Sequence, residues 1–461
     1  MLKGKRYHLI GIGGVGMSGL ARLLLALGAR VSGCDLKRTG TTEALKAEGI
    51  EVFYGHDPGH LLGKEVVVYS SAVKPDHPEL IRARELGLPI LPRAEMLSEI
   101  MALHPKSIAV AGSHGKTTTA SMIAEVLTRA GLEPTVAIGG RVNNFGVNAR
   151  LGRGHYLVAE TDESDGSFLI LRPYLGVVTN IDREHLDFYA DFKAVRKAFV
   201  RFCRRVDSEG GLVLCGDDPG VRSILPELSG NLMIYGFSDG VDLSGEVISG
   251  GPFPEIRVTY KGRPLGSFRL SVPGRHNALN ALAVVGVGLR LGLSPEIIFS
   301  GLAAFSGVGR RLEKKGEIYG VEVFDDYAHH PAEVEVTLRT LRELFPERRL
   351  LVVFQPHRYT RTRALWRDFL RVLVEPDVLF LTDIYPASEP PIPGISGESF
   401  FQAVRRIRKD KPTLFSPGLE EAVAQVEFFL SPGDVLLTMG AGDVYQMGEE
   451  LLSGKRLNKA A

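Results

Sequence analysis

Two glycine-rich turns, each set between a β-branched run and an amphipathic run, constrain this chain more than any other feature of its 461 residues. The first is "GIGGVG", with Gly11, Gly13 and Gly16 spaced G-x-G-x-x-G behind "RYHLI" and ahead of "MSGLARLLLALG". The second is "GSHGKTT", Gly112 to Thr118, between "SIAVA" and "TTTASMIAEVLTRA". A turn that leads from a parallel strand into a helix aims backbone N–H groups, and the positive end of the helix dipole, at one point. Such a point holds phosphate. A chain with two of them reads as an α/β protein with two anion-binding sheet edges.

The second turn carries more chemistry. Lys116 is placed to bridge terminal phosphates and the Thr117 hydroxyl to sit on Mg²⁺. The loop is shorter than the standard G-x-x-x-x-G-K-[ST], which needs glycine where Val110 stands. Its strand–loop–helix setting still predicts a nucleoside triphosphate site. Mg²⁺ wants further ligands, and two candidates close later strands: Glu160 in "HYLVAE" and His185 in "VVTNIDREHLDFY". Strand C-termini of an open parallel sheet share one edge, so these residues can converge on the loop. Alone, each reads as an ordinary surface carboxylate or structural histidine.

The first turn is less specific. Asp35 ends the next strand, as the dinucleotide fingerprint asks. The turn itself says only that a diphosphate rests on a helix N-terminus, which leaves NAD, a sugar nucleotide or no ligand open. No other feature supports hydride transfer. A triphosphate site in the following domain points instead to a kinase-like or ligase-like reaction on an acceptor held by the first.

Alternating runs place three α/β domains in series, 1–105, 106–311 and 312–461. The boundaries fall at "LHPKS" and "FSGVGRR". The first reads as a Rossmann-like parallel sheet. The second reads as a P-loop ATPase-like domain with a β-hairpin addition in "EIRVTYKGRPLGSFRLSV", and the third is again Rossmann-like. With 55 basic and 54 acidic side chains, charge gives no reason to expect nucleic acid or a membrane surface as partner. Cys34, Cys203 and Cys215 cannot all pair and show no Cys-x-x-Cys spacing, so they read as thiols of a reducing compartment. With no leader in "MLKGKRYHLIGIGG" and Arg290 interrupting the best apolar helix, the expected location is the cytoplasm.

The ordered set "GIGGVGMSGLA", "GSHGKTTT", "AETDESDGSF", "TNIDREHLD", "GRHNALNALA", "GVGRR", "DDYAHHPAEV" and "QPHRYTRT" resembles the Mur ligase family from Gly11 to Gly442. "GIGGVGM", "DESDGSF" and "DDYAHHP" are similar to its alanine-adding members, with Thr161 departing from the usual alanine. The resemblance implies an ATP- and Mg²⁺-dependent ligase that joins L-alanine to the lactyl carboxylate of UDP-N-acetylmuramate through an acyl phosphate, in peptidoglycan precursor synthesis. Nicotinamide then has no part. It implies that Gly11, Gly13, Gly14, Gly16, Asp35, Ser70 and Ser71 hold the UDP-sugar. Gly112, Ser113, His114, Gly115, Lys116, Thr117 and Thr118 would hold ATP, with His276, Asn277 and Asn280 on the adenine side.

By the same resemblance Thr117 and Glu160 bind one Mg²⁺ and His185 the second. Arg311 meets phosphate as domains close about hinges near Pro105 and Gly309, and Asp326 holds the ribose. Tyr327, His329, His330, His357, Arg358 and Arg361 then shape the site for alanine and the muramate carboxylate. Blander readings stand beside these: the histidine pair before Pro331 also suits a helix cap, and "HRYTRTR" a solvated basic face. A monomer or homodimer is expected. The rival readings are a relative that adds another amino acid or a recycled tripeptide, and an NAD-dependent oxidoreductase with an accessory ATP module.

Overall fold

The computed structural model describes residues 2–185, 188–249, 251–387 and 389–454. Three sheets form the frame. By contacts the chain divides into two compact units, Met1–Ser249 with Pro254–Ser306, and Gly250–Phe253 with Gly307–Ala461.

The first unit holds two of the sheets. One has five parallel strands in the order Glu51–Tyr54, Arg30–Asp35, Arg6–Ile10, Val66–Tyr69, Ile90–Pro92. The chain starts in the middle and winds outward both ways, so the first glycine turn leaves the sheet where strand order reverses. The helix that follows, Val15–Ala26, buries Leu20, Leu23 and Leu24 in the same core as Leu9 and Val31. A further helix, Arg93–Met101, was not anticipated. It follows the last strand without a loop, Pro92 being both the strand's last residue and the helix cap, and Met96, Leu97 and Ile100 join that core.

The other sheet has ten strands and is centred on Lys106–Ala111, flanked in parallel by Tyr156–Glu160 and Leu175–Val178. The expected hairpin is present as Glu255–Tyr260 and Arg263–Arg269. Lys261 and Gly262 join its strands, both at positive φ (47° and 77°), the conformation a tight two-residue hairpin turn requires. The two sheets of this unit are tied by Asn148, which donates to Val15 O at 2.8 Å and accepts from Arg22 at 2.9 Å.

The second unit is a six-stranded sheet in the order Glu313–Ile318, Val321–Asp326, Val435–Met439, Leu350–Phe354, Val378–Leu381, Thr413–Phe415. All pairs are parallel except the edge strand Glu313–Ile318, whose polar sequence "EKKGEI" gave no strand signal. Central strands are apolar on both sides: Val352 and Phe354 face one core and Leu351 and Val353 the other, as sheets covered by helices on both faces demand. Among the described residues no helix is long and apolar enough to cross a membrane.

Candidate active site

The strand Lys106–Ala111 feeds the loop Gly112–Gly115, and the helix Lys116–Arg129 begins at Lys116. Two glycines are required by geometry. Gly112 has φ +140°, and a side chain there would overlap the Thr179 hydroxyl. Gly115 has φ +79°, and a Cβ would lie 2.7 Å from Asn280 Oδ1. The loop is clamped by the segment after strand Leu175–Val178. Asn180 Oδ1 accepts from His114 N at 2.7 Å, Asn180 Nδ2 and the Thr179 hydroxyl donate to His114 O, and Asp182 N donates to Ser113 Oγ at 2.9 Å. Thr118 sits half-buried in the first helical turn. Asn280, held in the helix Arg275–Arg290, lies against Gly115, and Asn277 and His276 occupy the same first turns. Asn277 Nδ2 donates to Pro273 O at 2.7 Å.

Lys116 folds back over the loop. Its ammonium donates to Gly112 O, to Ser113 O at 3.2 Å and to Glu163 Oε1 at 2.7 Å. Burial alone would lower its pKa, but Glu163, Glu160 and Glu184 outweigh it and hold the lysine above its ordinary value. The Thr117 hydroxyl donates to Glu160 Oε2 at 2.9 Å, and Gly139 N donates to the same oxygen at 2.8 Å. His185, at φ +57°, puts Nε2 3.5 Å from Glu163 Oε1 and 3.7 Å from Glu184 Oε2.

The loop, Glu160 and His185 therefore converge, as the sheet-edge argument expected. What sequence reasoning did not single out is Glu163. It lies three residues past Glu160 in "AETDESDG", it is buried, and it touches both Lys116 and His185. Its Oε2 is buried with no hydrogen-bond partner. An orphaned buried carboxylate oxygen costs free energy unless a cation meets it. The donors of Glu163, Glu184 and His185 lie within 4.8 Å of one another. With the Thr117 hydroxyl and Glu160 beside them, this oxygen-rich set fits Mg²⁺.

At the first glycine turn, Gly11 has φ +78° and lies against Ser70 at the end of strand Val66–Tyr69, while Ser71 is exposed. Gly14 precedes the helix as its cap. Asp35 Oδ2 accepts from Gly13 N at 2.9 Å and Oδ1 from Lys37 N at 3.2 Å, so the carboxylate braces the turn itself. A Cβ at Gly16 would meet the Arg93 guanidinium at 3.0 Å, and Arg93 Nη2 pairs with Asp162 Oδ2 at 3.1 Å. Arg93 thus sits between the first turn and the "DESD" segment, a placement no local pattern announced.

In the second unit Asp326 is buried and accepts from Leu312 N and Ala328 N, each at 2.7 Å. Burial pushes its carboxyl up to about 6. Arg311 lies 3.7 Å from Glu333 and 5.3 Å over the Tyr327 ring. His330 is a helix cap: its side chain accepts from Ala332 N, and Glu333 accepts from the His330 and His329 N–H groups. The blander reading of that histidine holds. His329 packs edge-on to Tyr327 and His357. Arg361 donates to His357 Nδ1 at 3.1 Å, and Tyr385 stacks on His357 at 5.5 Å. Arg358 has φ +68° at the head of the short helix Tyr359–Ala364. These rings and guanidinium groups gather, so "HRYTRT" is no plain solvated face.

Family models match in series along the chain: "Mur ligase family, catalytic domain" over residues 6–105, "Mur ligase middle domain" over 110–288, and "Mur ligase, glutamate ligase domain" over 310–442. A UDP-N-acetylmuramate–L-alanine ligase of Nitratidesulfovibrio vulgaris is 50% identical over 98% of this chain and 99% of its own. The ligase of that name from Solidesulfovibrio magneticus is 50% identical with the same coverage. Among solved structures, a UDP-N-acetylmuramate–alanine ligase from Thermotoga maritima aligns with TM-score 0.85 and 29% identity over 98% of this chain and 99% of that one. A murein peptide ligase from Psychrobacter arcticus aligns with TM-score 0.76 at 24% identity, over 98% of both chains, and attests the fold alone.

Proposed function

Because the chain belongs to the Mur ligase family, we propose that it joins L-alanine to the lactyl carboxylate of UDP-N-acetylmuramate, converting ATP to ADP and phosphate in cytoplasmic peptidoglycan precursor synthesis. The observation that carries this reading is the end-to-end identity of 50% to ligases that bear that name.

A carboxylate does not condense with an amine in water, because its oxygen is a poor leaving group. In the proposed route a lactyl carboxylate oxygen attacks the γ-phosphorus of ATP, and ADP departs. The amine of alanine attacks the acyl phosphate carbon, phosphate leaves, and the amine gives up a proton. For the first step the protein positions reactants and supplies charge. Lys116 swings from the loop carbonyls to the β- and γ-phosphates. The loop N–H groups of Gly112 to Thr118 cradle them, and Asn277, Asn280 and His276 lie toward adenine. Thr117 and Glu160 would hold one Mg²⁺, and His185, beside Glu163 and Glu184, a second. When bound, such ions neutralise phosphate charge and polarise the reacting phosphorus.

The first turn would hold the sugar nucleotide's pyrophosphate on the N–H groups after Gly11, with Ser70 and Ser71 alongside and Asp35 bracing Gly13. Arg311 and Asp326 would serve phosphate and ribose. Tyr327, His329, His357, Arg358 and Arg361 would serve the alanine and muramate carboxylates, with His330 shaping the site through its cap.

Phosphate release from ATP, measured with UDP-N-acetylmuramate and L-alanine, glycine, L-serine or the tripeptide in turn, tests the reading. Release with L-alanine is expected. Release with the tripeptide and not with alanine would assign a recycling ligase. NADH binding without UDP-sugar binding would overturn the sugar-nucleotide reading altogether.

A further inference from the structure

On the face of the five-stranded sheet covered by the helix Pro78–Glu85, four metal-ligating side chains meet from four separate elements. His8 comes from strand Arg6–Ile10, Cys34 from strand Arg30–Asp35, His60 from the 3-10 turn Pro58–Leu61, and Glu79 from the helix. Their donor atoms all lie within 4.8 Å of one another. His8, Cys34 and Glu79 are fully buried, and the His60 side chain is 16% exposed. We propose that His8, Cys34, His60 and Glu79 form a closed site for a zinc-class divalent transition-metal ion, separate from the phosphate machinery.

The four side chains crowd round one point. His8 Nε2 lies 3.0 Å from Glu79 Oε2, and the other ring nitrogen, Nδ1, lies 3.0 Å from the Ser32 hydroxyl. That hydroxyl also reaches Tyr7 O at 3.2 Å, so it can accept from Nδ1 while donating to the carbonyl, which frees Nε2 as a ligand. A divalent ion fits this geometry. With thiolate, carboxylate and two neutral imidazoles it makes a group of zero net charge, the one ionic arrangement a buried site holds at low cost.

Distances and donor types agree. Cys34 Sγ is 3.1 Å from Glu79 Oε2, and His60 Nδ1 is 3.0 Å from Glu79 Oε1. Tetrahedral zinc, with bonds of about 2.0–2.3 Å, sets its ligand atoms roughly 3.3–3.8 Å apart, so the cluster opens by about half an ångström. The thiol and imidazoles select zinc or cobalt over magnesium. Outer partners are already in place: Ser32 fixes the His8 ring, and Asp57 N donates to Glu79 Oε1 at 3.1 Å. Phe53 stacks on His60 at 4.2 Å and covers the site's edge. Binding expels the Cys34 thiol proton, and the His8 ring proton sits on Nδ1, where the Ser32 hydroxyl accepts it. The ion would also stiffen the first glycine turn, because Cys34 O accepts from both Gly11 N and Ile12 N.

The test is a cobalt titration of the full-length protein after chelator treatment and dialysis, without nucleotide. One equivalent of Co²⁺ should develop a thiolate-to-cobalt charge-transfer band with the visible bands of a tetrahedral ion, and Zn²⁺ should bleach both. Cys34→Ser should remove the charge-transfer band. Ser32→Ala, which keeps all four ligands, should weaken cobalt binding roughly 10–100-fold. Glu163→Gln should leave the band unchanged, since the phosphate-loop cluster has no thiol. His60→Ala, altering a side chain at the site's edge, gives a second reading if Cys34→Ser does not fold, and should abolish the one-equivalent signal. Absence of the charge-transfer band in the wild-type protein at any cobalt ratio, or a band that persists in both ligand variants, would overturn the proposal.

Discussion

Lys116 makes three contacts that a nucleotide would replace: two loop carbonyls and the Glu163 carboxylate. Truncating it removes charge from the place where, in the proposed reaction, phosphate oxygens would gather, and leaves the helix start intact. Lys116→Ala should therefore slow alanine-dependent phosphate release by about 10²–10³-fold, with an unchanged circular dichroism spectrum. Near-normal turnover would refute the assignment. His357 makes a second prediction at this scale. Burial first, then the positive charges of His329, Arg361, Arg358 and Arg310, push its pKa down to about 2. The folded chain then binds fewer protons here than the unfolded chain, whose histidine titrates near 6.5. Its contribution to stability is therefore full above about pH 6.5 and is lost as pH falls below it. His357→Gln keeps an acceptor for Arg361, so its urea midpoint should fall less than that of the wild type between pH 7 and pH 5. Lys116, Glu160 and His185 were legible because each follows a strand that ends at one sheet edge. Glu163 was not. Its importance comes from burial and from a contact with His185 that no spacing encodes.

At the scale of elements, the turns carry the load. Gly112 holds φ +140° directly against the Thr179 hydroxyl, so Gly112→Ala must shift either the loop or the clamp of Thr179 and Asn180. We expect a loss of about 1–3 kcal/mol, seen as a lower thermal midpoint together with weaker ATP binding by calorimetry. An unchanged midpoint would contradict the clamp. The five parallel strands and the hairpin were readable because β-branched runs and glycine turns mark them. The helix Arg93–Met101 escapes a sequence reading because no loop separates it from its strand, Pro92 serving as the end of one and the cap of the other, and the edge strand Glu313–Ile318 because its polar side chains show no alternation. In the first unit Arg93 abuts Gly16, and in the second Glu313 accepts from Arg310 N at 2.8 Å.

At the scale of the whole molecule, a long sequence of ordinary composition encodes compact units with separate cores. The second unit has apolar clusters on both faces of its own sheet. A fragment beginning at Gly307 should therefore fold alone and melt cooperatively by circular dichroism, whereas a spectrum without helix or a broad non-cooperative melt would contradict the division. Which ligand each turn takes is beyond the reach of turn geometry, since a glycine turn presents the same N–H groups to any diphosphate.

If ATP energises the acid of the sugar nucleotide before alanine arrives, as proposed, the oxygen atoms record it. UDP-N-acetylmuramate carrying heavy oxygen in its lactyl carboxylate should be turned over with ATP and L-alanine, and the released phosphate analysed by mass spectrometry. One labelled oxygen per phosphate is the expected result; phosphate that carries no label would contradict the account.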